Sequence, residues 1–78
     1  MKLEIDPEAD AAYVRVRDTR ISRTSPLDSQ RILDYDADGE LVGIEFLAIH
    51  QGLDLRDLPY HDQLAQLFEG LGHIPISA

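Results

Sequence analysis

The chain has 78 residues, no cysteine and a formal net charge of −8, and 44% of its residues are hydrophobic. This length has room for one small domain over residues 1–78, and the composition is typical of a folded chain. Without cysteine there is no disulfide, no thiolate nucleophile and no thiolate zinc site, so we expect a cytoplasmic protein. The negative charge argues against binding to nucleic acid, whose phosphates repel an acidic surface. No run is apolar enough for a signal peptide or a membrane span, so we expect no membrane association.

The first third of the chain predicts short β-strands. Residues 2–5 and 12–17 alternate apolar and polar side chains, which is typical of strands with one buried face. Between them, Asp6-Pro7 predicts a turn in which the Asp6 carboxylate accepts a bond from the backbone ahead. Residues 20–27 are compatible with a strand, but Pro26 restricts it to a sheet edge because proline has no N–H to donate.

The strongest hairpin signal lies in the middle of the chain. Two apolar runs, residues 30–36 and 40–49, flank the sequence Asp36-Ala-Asp-Gly39. Aspartate is favoured at the start of a type I turn and glycine at its end, so we assign Asp36, Asp38 and Gly39 to a structural turn.

The second strand of this hairpin is apolar on both sides. Strict alternation places Val42, Ile44 and Phe46 on one face. The apolar residues of the other face are then Leu41, Leu47 and Ile49. Because each apolar face needs a cover, we expect the protein itself to cover one face. The other face, or an open sheet edge, is then the place for a second copy or another protein, and we predict a homodimer.

The last third of the chain predicts a helix. Apolar residues recur there at helical spacing, namely Tyr60, Leu64, Leu67, Phe68 and Leu71. Pro59 suits the first turn and Gly70 or Gly72 the end, so we predict a helix over residues 59–72. The expected fold is α+β: a small antiparallel β-meander of four or five strands over residues 1–49, with one C-terminal helix packed on the sheet.

Two segments carry a family resemblance. They are Ile5-Asp-Pro-Glu-Ala-Asp-Ala-Ala-Tyr-Val-Arg-Val16 and Leu33-Asp-Tyr-Asp-Ala-Asp-Gly-Glu-Leu-Val-Gly-Ile-Glu-Phe-Leu47. In order and separation they resemble the two hairpins of the small prokaryotic family catalogued as domain of unknown function 2283, over about residues 1–49. Members resemble β-rich cytoplasmic proteins without an established activity, and some are thought to be encoded beside small toxin-like proteins. The resemblance implies a bacterial partner-binding or antitoxin-like protein that is not an enzyme, and it supplies no catalytic or cofactor-binding residue.

An alternative function comes from four acidic residues. Asp34, Asp36, Asp38 and Glu45 match the calcium-loop pattern D-x-D-x-D-G-x5-E. A calcium-binding EF-hand has a helix on each side of this loop, whereas both flanking runs here predict strands. We therefore favour a hairpin turn with solvated carboxylates and no metal, and we keep a divalent-cation-binding module at this turn as the alternative.

The remaining polar residues form no catalytic motif. The histidines, His50, His61 and His73, match no short metal-ligand spacing. Arg15 and Arg17 share a strand face, and with Arg31 they form the one basic concentration, which we expect to pair with acidic residues on neighbouring strands. We predict no cofactor and a homodimer whose acidic C-terminal half contacts a basic protein such as a small toxin.

Overall fold

The computed structural model describes residues 1–72 and 74–77, which belong to two compact units, Met1–Ala48 and Ile49–Ala78. The first unit is a five-stranded antiparallel sheet of β1 (Lys2–Asp6), β2 (Ala11–Arg15), β3 (Arg23–Pro26), β4 (Arg31–Tyr35) and β5 (Leu41–Leu47). The second contains a 3-10 helix (Ile49–Gln51), a helix α1 (His61–Glu69) and a parallel pair of β6 (Leu53–Asp54) and β7 (Ile76–Ser77).

These elements confirm the α+β class, with an antiparallel sheet followed by one α-helix. That the two units form a single domain over residues 1–78, with the helix packed on the sheet, stays a prediction. Within the described ranges, no helix has the length and hydropathy needed to cross a lipid bilayer.

The strands of the sheet lie in the order β1-β2-β5-β4-β3. The order departs from that of a sequential meander at one connection, because β2 pairs with β5 and the chain then crosses to β3 at the far edge. Strands β2 to β5 thus have the order of a Greek key with its long connection first. Two features favour this order. Pro26 has no N–H to donate to a further strand, so β3 fits an edge of the sheet, as the sequence predicts. Five of the seven residues of β5 are buried, so this strand fits the centre.

A bulge in β5 changes which side chains share a face. Tyr35 pairs with Leu41, but Asp34 pairs with Gly43, so β5 has one residue, Val42, in excess. Paired residues in an antiparallel sheet lie on the same face, and Leu41 is therefore on the face of Tyr35.

The bulge corrects the expected distribution of apolar residues on β5. Leu41 does not share a face with Leu47, and Ile49 lies beyond the strand in the 3-10 helix. The face of β5 opposite Phe46 therefore carries fewer apolar side chains than strict alternation predicts, and it supports a dimer less than expected.

The two faces of the sheet differ in chemistry. We call one the phenylalanine face, which carries the buried residues Ala12, Val14, Leu33, Ile44 and Phe46. We call the other the tyrosine face, which carries Tyr13, Asp34 and Glu45 among its residues. Every buried side chain in the described residues is apolar, so the polar chemistry of the sheet lies on the tyrosine face and in the turns.

Helix α1 begins two residues later than the sequence predicts. Tyr60 precedes it with a left-handed backbone (φ 59°) and is 38% exposed, so it does not join the buried stripe. Leu64 and Phe68 form that stripe and are fully buried, whereas Leu67 is half-buried. The helix ends before Gly70, as expected.

We predict that Phe68→Ala strongly destabilises the protein. The ring is fully buried, and removing a buried phenylalanine costs about 3–5 kcal/mol, a large part of the stability of a small domain. Chemical denaturation monitored by circular dichroism measures the loss, with Gln66→Ala on the exposed side of α1 as the control. Melting of Phe68→Ala within a degree or two of wild type would show that the helix contributes little to folding.

Candidate functional site

A cluster of three polar side chains crosses the tyrosine face. The Tyr13 hydroxyl on β2 donates to Asp34 Oδ2 on β4 at 2.9 Å. The Thr24 hydroxyl on β3 donates to Asp34 Oδ1 at 2.6 Å. Both oxygens of the Asp34 carboxylate therefore accept hydrogen bonds from neighbouring parts of the sheet, and Asp34 is half-buried. This differs from the solvated carboxylate expected from the sequence.

Gly43 makes the cluster possible. β5 lies between β2 and β4, and Gly43 is paired with Asp34 on one side and with Arg15 on the other. The Tyr13 ring lies over this glycine so closely that a Cβ built there would overlap the ring and its hydroxyl. A glycine inside a strand often marks such a close approach, and this is the signal by which the sequence could have revealed the cluster.

The cluster holds Tyr13 in its neutral form. Burial, followed by the hydrogen bond to Asp34 and its charge, raises the pKa of Tyr13 to about 12. The hydroxyl is therefore a stable donor at neutral pH and a poor nucleophile. This chemistry suits a structural bond rather than an acid or base.

Asp36 organises the turn between β4 and β5. Its Oδ1 accepts from the N–H of Asp38 at 2.9 Å and of Glu40 at 3.0 Å, while the N–H of Gly39 donates to its carbonyl at 3.0 Å. Gly39 takes the left-handed backbone that the turn requires (φ 81°). These bonds, first of all the one from Glu40, lower the pKa of the Asp36 carboxyl. Asp36, Asp38 and Gly39 thus form the turn, with Asp38 contributing its backbone N–H.

The same turn binds the long connection between β2 and β3. The Thr19 hydroxyl donates to Asp36 Oδ2 at 3.0 Å, and Arg17 lies 3.6 Å from the Glu40 carboxylate. Arg15 donates to the carbonyls of Arg17 and Thr19 at 3.3 and 3.4 Å. Arg15 and Arg17 therefore fix this connection.

Arg31 lies apart from these two arginines. It pairs in register with Phe46, on the phenylalanine face, and binds Asp28 at 2.7 Å. The three arginines therefore do not form one basic patch.

The structure gives no support to a cation site at this turn. Asp34, Asp36, Asp38 and Glu45 are not gathered around one point, and within residues 1–72 and 74–77 no three His, Asp or Glu side chains could hold a metal ion together. The reason is the strand geometry. Asp34 and Glu45 lie on strands on the tyrosine face, while the Asp36 carboxylate binds the turn itself.

The histidines do not form a site in the described part of the chain. His50 is exposed in the 3-10 helix, and His61 Nδ1 lies 3.1 Å from the carboxylate of its neighbour Asp62. His73 lies outside the described residues.

A hollow of about 220 Å³ lies on the tyrosine face beside β1. Glu4, Tyr13 and Glu45 form one row across three adjacent strands, because Glu4 pairs with Tyr13 and Tyr13 pairs with Glu45. The lining of the hollow includes Glu4, Asp6, Ala11, Tyr13, Glu45 and Leu47, and none of the residues that line it is basic. Sequence reasoning missed Glu4 as a site residue, because its proximity to Glu45 depends on the pairing of β2 with β5.

Comparison with known proteins identifies a family. A family model described as a protein of unknown function (DUF2283) matches residues 2–49. This is more than half of the chain, so the chain belongs to this family, as the resemblance predicts. The match includes the whole sheet, the Tyr13–Asp34 cluster and the hollow. No curated protein and no solved structure matches the chain.

We predict that Gly43→Ala destabilises the sheet through Tyr13. The added methyl overlaps the ring, and overpacking of this kind costs about 1–3 kcal/mol. In a Tyr13→Ala background the obstacle is gone, and the same change should be neutral or stabilising, since alanine fits a strand better than glycine. Denaturant titration of the four proteins measures the coupling. An equal cost in both backgrounds would contradict the close approach.

We predict that Asp36→Ala lowers the melting temperature by a few degrees, whereas Asp38→Ala, the control in the same turn, leaves it unchanged. Asp36→Ala removes three accepted hydrogen bonds, whereas Asp38→Ala keeps the backbone N–H of that residue.

Melting curves with calcium and with chelator should coincide for the wild type. A saturable calcium shift that disappears in Asp36→Asn would instead support the cation-binding alternative.

Proposed function

We propose that this member of the DUF2283 family is a non-enzymatic cytoplasmic protein that binds a basic protein partner, in the manner of an antitoxin bound to a small toxin, and that it acts as a homodimer. The observation that carries the proposal is the open edge of the sheet at β1. Its backbone and its charge suit an extended basic segment, for the reasons given below.

β1 is an edge strand with an unblocked backbone. It pairs with β2 on one side, and no described strand pairs with its other side. It contains no proline, and its residue Ile5 is 39% exposed. Such an edge can accept a further strand by backbone hydrogen bonds. At the other edge, Pro26 in β3 removes a donor. β1 is therefore the better edge for strand addition.

The charge around β1 favours a basic partner. Residues 3–10, which cover most of β1 and the turn after it, contain Glu4, Asp6, Glu8 and Asp10 but no lysine or arginine. All four acidic residues are at least partly exposed. An acidic edge attracts a basic segment and repels an acidic one, which gives both speed and selectivity of association. We therefore propose the acidic contact at the N-terminal hairpin rather than in the C-terminal half favoured by composition alone.

We propose a non-enzymatic protein because the polar side chains of the cluster and of the turn are already hydrogen-bonded within the protein. The Asp34 and Asp36 carboxylates bind hydroxyl and N–H groups of the protein itself. The raised pKa of Tyr13 keeps its hydroxyl neutral. These groups are thus committed to the fold and not to an acid–base reaction.

The homodimer is supported by apolar residues near the other edge. Ile21 and Leu27, which flank β3, are 40% and 49% exposed. Burying two large apolar side chains against a second copy gives a favourable contribution to association. This surface lies on the opposite edge from β1, so a dimer formed there leaves β1 open to the partner.

We predict that the protein binds a short synthetic peptide of alternating arginine and valine, and that Glu4→Lys abolishes this binding. A matched control is Glu69→Lys, which changes the net charge equally but lies on α1. Sedimentation velocity with a labelled peptide measures binding, and a peptide of alternating glutamate and valine should not bind. Equal loss of binding in both variants would show a nonspecific charge effect.

Sedimentation velocity of the protein without peptide should show a dimer. A monomer at every loading concentration would contradict the proposed homodimer.

A further inference from the structure

We infer that the hollow beside β1 receives the side chain of an arginine carried by the partner strand. This inference rests on the proposed function and names the residue by which the partner is recognised. It depends on how the hollow is formed, on the charge of its walls and on the state of Glu45.

The hollow exists because of two neighbouring residues on β2. Tyr13 leans over Gly43 to reach Asp34 and so leaves the row that it forms with Glu4 and Glu45. The next residue of β2 on the same face is Ala11, which has only a methyl group and pairs with Leu47. No large side chain therefore stands above these two successive positions of β2, and a space of about 220 Å³ opens there.

The hollow has acidic side chains on its walls and apolar side chains on its floor. Glu4 and Asp6 stand on β1 and Glu45 on β5, while Ala11 and Leu47 supply apolar surface. Strands in a sheet lie about 4.8 Å apart, so the backbones of Glu4 and Glu45, separated by β2, are about 10 Å apart. A cationic side chain with an apolar stem, lying between the two carboxylates, fits this combination.

Glu45 is the carboxylate of the hollow that has no polar partner among the described residues. It is half-buried on the central strand, and no hydrogen bond or ion pair within the described residues engages its carboxylate. Its charge even opposes ionisation of Tyr13, contributing to that residue's raised pKa. A half-buried carboxylate next to apolar surface gains more from a cation than an exposed one does. Glu4, in contrast, already lies 4.0 Å from Lys2, with both side chains largely exposed.

Arginine fits better than the other cations. Its planar guanidinium can donate to carboxylates on two sides, whereas lysine offers a single point charge. A strand paired with β1 lies about 10 Å from β2, so the cation must be carried on a long side chain that extends across β1. A second, larger hollow at the other end of β1 is lined by Lys2, Arg15 and Arg17 as well as by Glu4 and Asp18, so it attracts a cation less than the hollow above Ala11 does. The position of the arginine on the partner strand is therefore set by charge.

The test removes one positive charge from the peptide and one negative charge from the protein, first separately and then together. In the arginine–valine peptide, single arginines are replaced in turn by citrulline, which has nearly the same shape but no charge. We expect wild-type protein to lose about tenfold in affinity at one peptide position, corresponding to about 1.4 kcal/mol. In Glu45→Gln that same replacement should have no further effect, because the carboxylate it pairs with is already gone. Glu69→Gln should respond as the wild type does.

The outcomes separate the two proposals. If the wild type binds neither peptide, the proposed function and this inference both fail. If it binds, and the citrulline replacement weakens wild type and Glu45→Gln equally, the partner site stands and the arginine hollow is wrong. Ala11→Leu, which fills the hollow without changing charge, should weaken binding as Glu45→Gln does. If Glu45→Gln alone dissociates a dimer in sedimentation runs, the hollow is filled by a second copy and the inference is wrong.

Discussion

The hydrogen bond from Tyr13 to Asp34 is the constraint on which the sheet depends. It joins residues 21 positions apart in the sequence and spans β5 between them. The bond forms only when Gly43 lies beneath the ring, because either neighbouring residue of β5 would place a large side chain there. It therefore selects the register on both sides of the central strand at once. A slip of one residue would also exchange the buried and exposed faces of β5.

Two hydroxyl groups extend this constraint to the long connection and to β3, which follows it. Thr24 donates to Asp34 and Thr19 donates to Asp36, and both threonines lie after β2. The two aspartates, both on the β4 side of the hairpin, thus hold the segment that carries the chain across the sheet. This explains why a calcium-like run of acidic residues exists without forming a calcium site. The carboxylates are spaced for hydroxyl and N–H donors on different elements, not for one central ion.

Local signals in the sequence were sufficient for the hairpins and the helix, and nonlocal pairing was not accessible to them. The bond from the Ala9 N–H to Asp6 and the edge position of Pro26 each follow from one residue and its neighbours. The bulge at Val42 depends on distant parts of the chain, since it arises in the pairing with β4 and the Val42 carbonyl accepts from Val16 and Arg17, which follow β2. Alternation along β5 alone could not reveal it. β6 and β7, with two residues each, are too short to give a periodic signal.

The register of the sheet and the proposed arginine hollow both depend on the position of the Tyr13 ring. By leaning towards Asp34 the ring closes the cluster on one side of β2, and by the same movement it leaves the space above Ala11 on the other. The hollow is thus a consequence of the bond that fixes the sheet, and it needs no movement of the backbone to form. Glu45 takes no part in the hydrogen bonds of the cluster, so a carboxylate at this position contributes nothing visible to the fold of the described residues. The Glu45 carboxylate on the central strand is thus available to the partner that we propose.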